Sequence, residues 1–584
     1  MQTNKLSPEK DDGNIEYKTM LINKDKSRIQ GLASQMRYRV DEGSGEAIYV
    51  IGVTDDGNLE GVDDSEFIES FNNLSLAARE NNYSITMLAS RDLKTQKRNS
   101  RIKRRKKVLE KYKGEYKGEY KGEYKGEYKG KYKGKSQIKK VYELLVREKN
   151  DQKYIDIKVA VAGSVDVGKS SLLGVLISGQ NDNGRGSARL AVFNFRHEVF
   201  SGRTSSIAHH ILGFNDKGHI TNYSGMHKKS WPDIVRDSSK IISFYDLCGH
   251  ERYLRTTIMG LTSSFPDLCL ILVGANMGMT RMTNEHIFLC VTLKIPFAIV
   301  LTKIDICVNR KKVMKETIRS INKLLKLPGL RRIPYKVTSV DDVILCAKNV
   351  RSESVVPIFH ISSVTNAGIP FLKQFLNLLG KVSTNIREDV KDVEYHIDTT
   401  FLVPGVGTVV GGQLLSGTIS IGDKLLLGPR EGEYQEVQVR SIHCKRVPMQ
   451  TVNYGAYVCL GLRKVDRKSV HRGNVLVSQY SPQISVREFD ADITVLKAHS
   501  TTIRPGYEPI IHTCTTRQSA KLINITDKIN GRDTISDDDS ILRTGDKATA
   551  RFRFIYHSEY IKPGFKLLMA EGRTKIVGVV TRVF

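Results

Sequence analysis

Apolar residues recur along this chain at two different periods, and the switch between them marks out its domains. From about residue 152 to 385, short apolar runs such as 155–162, 241–245 and 297–301 alternate with stretches of helical spacing. Strand–helix alternation predicts an α/β fold, a mostly parallel doubly wound sheet with ligand loops at its strand ends. After about 390 the runs shorten. Segments 400–403, 407–412 and 424–427 are separated by Pro404-Gly405, Ser416-Gly417 and Gly422-Asp423, the texture of a small β-barrel. The texture returns from about 487, in 491–496, 550–555 and 574–580, and predicts a second barrel. Its polar stretch 527–540 is expected to be an exposed loop.

Residues 15–93 predict a small α/β module. Positions 36–40 alternate at strand period, and 47–53 supply a partner strand across a Gly-rich turn. Asp63 offers a helix cap with Glu66 three residues on; Phe67, Ile68, Phe71, Leu74 and Ala78 follow at helical spacing. Packing rather than chemistry is the expected role. Residues 94–140 cannot build a core. A Tyr-Lys-Gly-Glu type repeat runs from Lys111 to about Lys135, where glycine at every fourth position opposes a helix and apolar content is too low to offset ordering entropy. The expected order is a disordered tail (1–14), the module (15–93), a basic low-complexity linker (94–140), a nucleotide-binding domain (141–388) and barrels at 389–484 and 485–584.

Charge changes this picture in one place. The 584 residues carry a net +28, and residues 94–140 hold 20 Lys or Arg against 5 Glu, so the basic excess is local. Tyrosines spaced among lysines there suit stacking on single-stranded bases while lysines meet phosphate, an RNA contact through a basic arm. A solvated spacer produced by repeat expansion is the other reading. No apolar run reaches the roughly 18 residues of a membrane span, and the polar N-terminus lacks a signal-peptide core. The eight cysteines are scattered, with neither Cys-x-x-Cys nor a Cys/His cluster. A reduced, cytoplasmic setting without membrane association is expected.

The chemistry concentrates in the alternating region. Gly163-Ser164-Val165-Asp166-Val167-Gly168-Lys169-Ser170 follows a strand run and opens a helical stretch. In that context backbone N–H groups and a helix dipole hold polyphosphate. Gly163 and Gly168 permit close backbone approach, Lys169 reaches the β- and γ-phosphates, and Ser170 suits Mg²⁺. Asp246-Leu247-Cys248-Gly249-His250 adds a carboxylate for the magnesium shell, a glycine N–H for the γ-phosphate and an imidazole that orients the attacking water. Together they read as a nucleoside triphosphatase. Thr302-Lys303-Ile304-Asp305 then selects the base: Asp305 accepts from guanine N1–H and the N2 amine, donors that adenine lacks, while Lys303 lies along the base face. An ATPase of the same fold is disfavoured. Ser362-Ser363-Val364 supplies a final loop near the guanine O6. Between the first two motifs Thr204 is the chosen hydroxyl, with Ser205 as runner-up, that joins Mg²⁺ only while γ-phosphate is bound. GTP or GDP with Mg²⁺ are the expected ligands. Ser170, Thr204 and Asp246 would hold the metal; His250, Gly249 and Thr204 would serve hydrolysis.

These three motifs and the 407–410 strand that follows them resemble translation-factor GTPases. The finer resemblance is to the eukaryotic GTP-binding protein 1 and 2 family, relatives of elongation factors Tu and 1-alpha. It is carried by Asn183-Gly184-Arg185-Gly186-Ser187-Ala188-Arg189, by residues 197–206 and, more weakly, by 45–49. The resemblance spans about 33–93 and 141–584; the basic repeat has no counterpart in it. It implies a P-loop GTPase domain followed by two β-barrels, a GTP-hydrolysing switch working with ribosome, tRNA or mRNA-turnover machinery. A GTP-loaded RNA-binding adaptor with incidental hydrolysis is the alternative. Three departures stand out. Val167 occupies a position where many translation factors carry His, Thr302 replaces the usual Asn of the guanine motif, and Arg203 precedes Thr204 where an apolar residue is usual. Arg203 could instead stabilise transition-state charge from within the chain.

Overall fold

The computed structural model describes residues 6–10, 12–22, 25–93, 139–149, 154–193, 196–201, 204, 206–224, 227–327, 330–352, 354–381, 392–496, 502–529, 541–571 and 573–584. They form two units, Met1–Lys149 and Asn150–Phe584. In the first, strands Ile15–Lys18, Glu46–Ile51, Lys140–Glu148 and Tyr83–Asp92 lie side by side in that order, with helices Lys26–Glu42 and Asp64–Glu80. The Asp63 cap forms as predicted: its carboxylate accepts from the Ser65 and Glu66 N–H groups, and Glu66 accepts from the Asp63 N–H at 2.9 Å. Leu74 and Ala78 are buried beneath it, while Ile68 is exposed.

Three sequence expectations fail in this unit. Positions 36–40 lie in helix Lys26–Glu42, because the pair Met36 and Val40 also fits helical spacing and continues the buried stripe of Leu32 and Ala33. The supposed tail packs from residue 6 onward: the Leu6 N–H donates to Gly57 O, and Glu9 pairs with Arg39 at 2.5 Å. The nucleotide-binding domain does not begin at 141. Lys140–Glu148 pairs with both Glu46–Ile51 and Tyr83–Asp92, and its continuous run of buried side chains suits a central strand rather than an interdomain lead. The Tyr-Lys-Gly-Glu repeat lies outside the described residues.

The second unit opens with a seven-stranded sheet in the order Ile333–Lys336, Val355–His360, Phe297–Thr302, Leu268–Gly274, Ile155–Gly163, Lys240–Asp246 and Ala208–Phe214. All neighbours are parallel except the last pair. Register aligns the ends that matter: Gly163 beside Leu272, Asp246 beside Val161, and Thr302 beside Gly274. The predicted motifs therefore emerge along one edge of the sheet.

Two six-stranded barrels follow. The first closes through Lys424–Arg430, Val475–Ser478, Glu394–Val403, Gly407–Ser416, Tyr457–Arg463 and Glu433–Cys444, the last pairing back onto the first. The second closes through Glu488–Val495, Lys547–Phe554, Thr516–Ile529, Ile510–Thr513, Lys566–Glu571 and Arg573–Val583. Part of the expected loop is thus strand as far as Ile529; 530–540 lie outside the described residues. Buried charge fastens the first barrel to the sheet. Lys445 reaches Asp156 at 2.5 Å and Lys158 donates to Gln413 at 2.6 Å. Among the described residues no helix is long and apolar enough to cross a membrane.

Glu559 stands at the seam between the barrels, where the His471 and His557 rings meet at 4.7 Å. It accepts from Gln518 at 2.7 Å and Thr516 at 3.2 Å, with His557 Nδ1 at 3.3 Å. Burial pushes its carboxyl from 4.5 up to about 7. A raised folded-state pKa contributes stability that is complete below the ordinary value and is lost as pH rises through the folded one. Stability should therefore fall between about pH 4.5 and 7, by on the order of 3 kcal/mol. Glu559→Gln should flatten that slope in denaturant titrations run across pH.

Candidate functional site

The phosphate loop links strand Ile155–Gly163 to helix Lys169–Ser178. No side chain caps that helix, so its first N–H groups are left for an anion. The Lys169 amine turns back onto the loop, donating to Gly163 O at 3.1 Å and Ser164 O at 2.9 Å, and burial pulls its pKa down. Gly249 lies directly beneath. A Cβ there would fall 2.3 Å from Lys169 Nζ and 2.7 Å from Gly163 O, so only glycine fits.

Asp246 gathers the hydroxyls. Its Oδ2 accepts from Ser170 at 2.7 Å and Thr204 at 3.5 Å, and those two hydroxyls are 3.0 Å apart. Its Oδ1 is buried without a partner, and burial pushes the carboxyl up to about 6. A buried carboxylate with one unused oxygen beside two hydroxyls is the chemistry of a hard divalent cation site. These three residues fit Mg²⁺.

His250 lines the same cavity, together with Val165, Asp166, Gly168, Thr204 and Lys303. Its Nδ1 accepts from the Arg252 N–H at 3.1 Å. A neutral ring held that way carries its hydrogen on Nε2. The imidazole is thereby set to donate.

Of the base-side motifs Lys303 lines the cavity, and Thr302 and Lys303 are tied to the phosphate loop. The Thr302 hydroxyl donates to Val167 O at 2.6 Å, so threonine in the usual asparagine position still fastens the two loops. Lys303 donates to Asp166 O at 2.5 Å. Asp305 follows in the turn after strand Phe297–Thr302, half-buried. Ser362 is buried; its hydroxyl accepts from the Val364 and Thr365 N–H groups, while Ser363 O accepts from the Asp182 N–H at 2.9 Å. Sequence reasoning assigned no role to Asp182, Arg185 or Arg189, which also line the cavity. The only signal for them was the glycine-punctuated wording of 183–189. Arg203 and Ser205 lie outside the described residues.

A sheet edge that gathers these loops defines a GTP-binding domain of the elongation factor Tu class: residues 156–389 match the elongation factor Tu GTP binding domain family, and 407–477 match elongation factor Tu domain 2. GTP-binding protein 2 of Homo sapiens is 41% identical, over 99% of this chain and 88% of that protein. GTP-binding protein 1 of Xenopus laevis is 39% identical, over 98% and 79%. The chain belongs to the GTP-binding protein 1 and 2 family. Among solved structures, a bacterial selenocysteine-specific elongation factor EF-Sec aligns with a TM-score of 0.49 and 22% identity, over 73% of this chain and 58% of that one.

Proposed function

We propose that this chain is a Mg²⁺-dependent GTP hydrolase, a translation-factor-like switch that works with ribosome, tRNA or mRNA-turnover machinery. The observation that carries the reading is the convergence of Ser170, Thr204 and the half-satisfied Asp246 carboxylate beneath a cavity lined by Lys169 and His250. Ser170, Thr204 and Asp246 would hold Mg²⁺, whose charge would offset that of the terminal phosphates. Lys169, freed from its loop carbonyls, binds the β- and γ-phosphates. Gly249 offers its N–H to the γ-phosphate, and His250 holds the attacking water through its Nε2–H. Thr204 links the presence of γ-phosphate to the order of its own segment.

An RNA partner is supported by a seam of arginines contributed by three domains. Arg255 of the nucleotide-binding domain, Arg472 of the first barrel and Arg517 of the second lie close enough that partial burial of an otherwise solvent-open Arg517, then the charges of Arg255 and Arg472, pull the Arg517 pKa down. Asp398 pairs with Arg472 at 2.7 Å. Arg255 and Arg517 are exposed. Like charges gathered at an open seam suit phosphates. In salt titrations of RNA binding, Arg255→Ala and Arg517→Ala should each lower the slope of log K against log salt by about one. Sedimentation with ribosomes should require a non-hydrolysable GTP analogue and fail with GDP. Equal sedimentation with both nucleotides, alongside reduced salt slopes, would favour the adaptor reading; neither effect would remove the RNA role.

A further inference from the structure

The segment 183–189 takes no part in the chemistry above, yet it forms one wall of the cavity. Asp182 organises it. Its N–H fastens the segment to Ser363 O, and its buried carboxylate accepts from Gly184 N at 3.0 Å, Gly186 N at 3.2 Å and Ala188 N at 2.9 Å. Three backbone donors on one carboxylate fold these residues into a tight ring. The ring rests on helix Lys169–Ser178 at Gly174, where a Cβ would fall 2.0 Å from Ala188 O. It brings Arg185 and Arg189 to the cavity, which Ser171 and Lys303 also line. Arg189 crosses over Gly186, whose φ of +86° is a conformation that favours glycine.

We propose that residues 182–189 are a phosphate clamp for the bound guanine nucleotide, with Arg185 and Arg189 as its cations and Asp182 as the positioning residue. The clamp rests on the reading of this cavity as the GTP site. Gly184 approaches Val364 of the base-side loop, whereas Thr204, Gly249 and His250 line the end assigned to the γ-phosphate. The arginines therefore serve the α- and β-phosphates, which GTP and GDP share. Charge-assisted hydrogen bonds from guanidinium to phosphate are among the stronger polar contacts, so the clamp governs how long either nucleotide stays bound.

Stopped-flow release of fluorescent GDP, and of a fluorescent non-hydrolysable GTP analogue, from the full chain tests this. Arg185→Ala and Arg189→Ala should each speed release of both nucleotides by about ten-fold or more. Arg189→Lys should restore part of the loss. Asp182→Ala should match the double arginine variant and add little to it, which a merely local packing defect would not do. Neither arginine is buried, so their variants carry the test even where Asp182→Ala fails to fold. Unchanged release in both, or an effect confined to the GTP analogue, overturns the clamp. Lys169→Ala separates the two readings: nucleotide retained by that variant would sink the GTP-site assignment itself, whereas a dead Lys169→Ala with wild-type release from the arginine variants sinks the clamp alone.

Discussion

Asp305→Asn is expected to lower GTP affinity by about 10⁴-fold while leaving the fold intact, because a base site built on hydrogen bonds rejects a ligand whose donors lose their acceptor. Aspartate presents two acceptor oxygens to the guanine N1–H and N2 amine; asparagine replaces one with a donor, which faces the amine donor to donor. The same change creates a match for xanthine, where a carbonyl stands in place of the amine. Xanthosine triphosphate should therefore bind the variant better than GTP does, reversing the wild-type order. Competition against a fluorescent nucleotide reads both affinities. Undiminished GTP binding in Asp305→Asn would place base selection elsewhere in the pocket, and ATP competing as well as GTP against the unaltered chain would remove guanine selection altogether. Thr302 matters here through its hydroxyl, since the 2.6 Å bond to Val167 O holds the base loop against the phosphate loop.

The candidate site was legible where the expected chemistry calls for a residue type at fixed spacing. A loop that wraps phosphate needs glycine at 163 and 168 and a lysine at 169, so the pattern announces itself without tertiary information. Whole-element alternation likewise exposed the parallel sheet and both barrels, because burial on one or two faces writes its period into the chain. Reading failed where two structures share one local pattern. Met36 and Val40 satisfy a strand over five residues and a helix over seventeen, and only the partners Leu32 and Ala33 decide. The strand Lys140–Glu148 was misassigned for a different reason: its partners lie across the long basic repeat, and no local signal reports a chain that leaves a sheet and returns. The ring around Asp182 is of the second kind too. Its carboxylate accepts from donors up to six residues away, but the bond that fastens it beside the cavity runs to Ser363 O, far along the chain.

Removal of the imidazole in His250→Ala is expected to slow stimulated GTP hydrolysis by about 10²–10³-fold, the range for a positioned hydrogen-bond donor, with nucleotide affinity close to wild type. The geometry sharpens what that group does. On the proposed reading, with Nδ1 accepting from the Arg252 N–H, a neutral ring would offer Nε2–H to an oxygen rather than accept the proton of the attacking water. Hydrolysis then relies on orientation and on charge stabilisation at the phosphate, the terms that dominate phosphoryl transfer. It follows that His250→Gln, which keeps an N–H donor at similar reach, should retain part of the rate that alanine loses. Single-turnover hydrolysis of pre-bound GTP with the stimulating partner present separates the cases. Gln and Ala equally slow would argue that the ring itself takes up a proton; both as fast as wild type would leave His250 out of the reaction and favour a chain that binds GTP chiefly to display it.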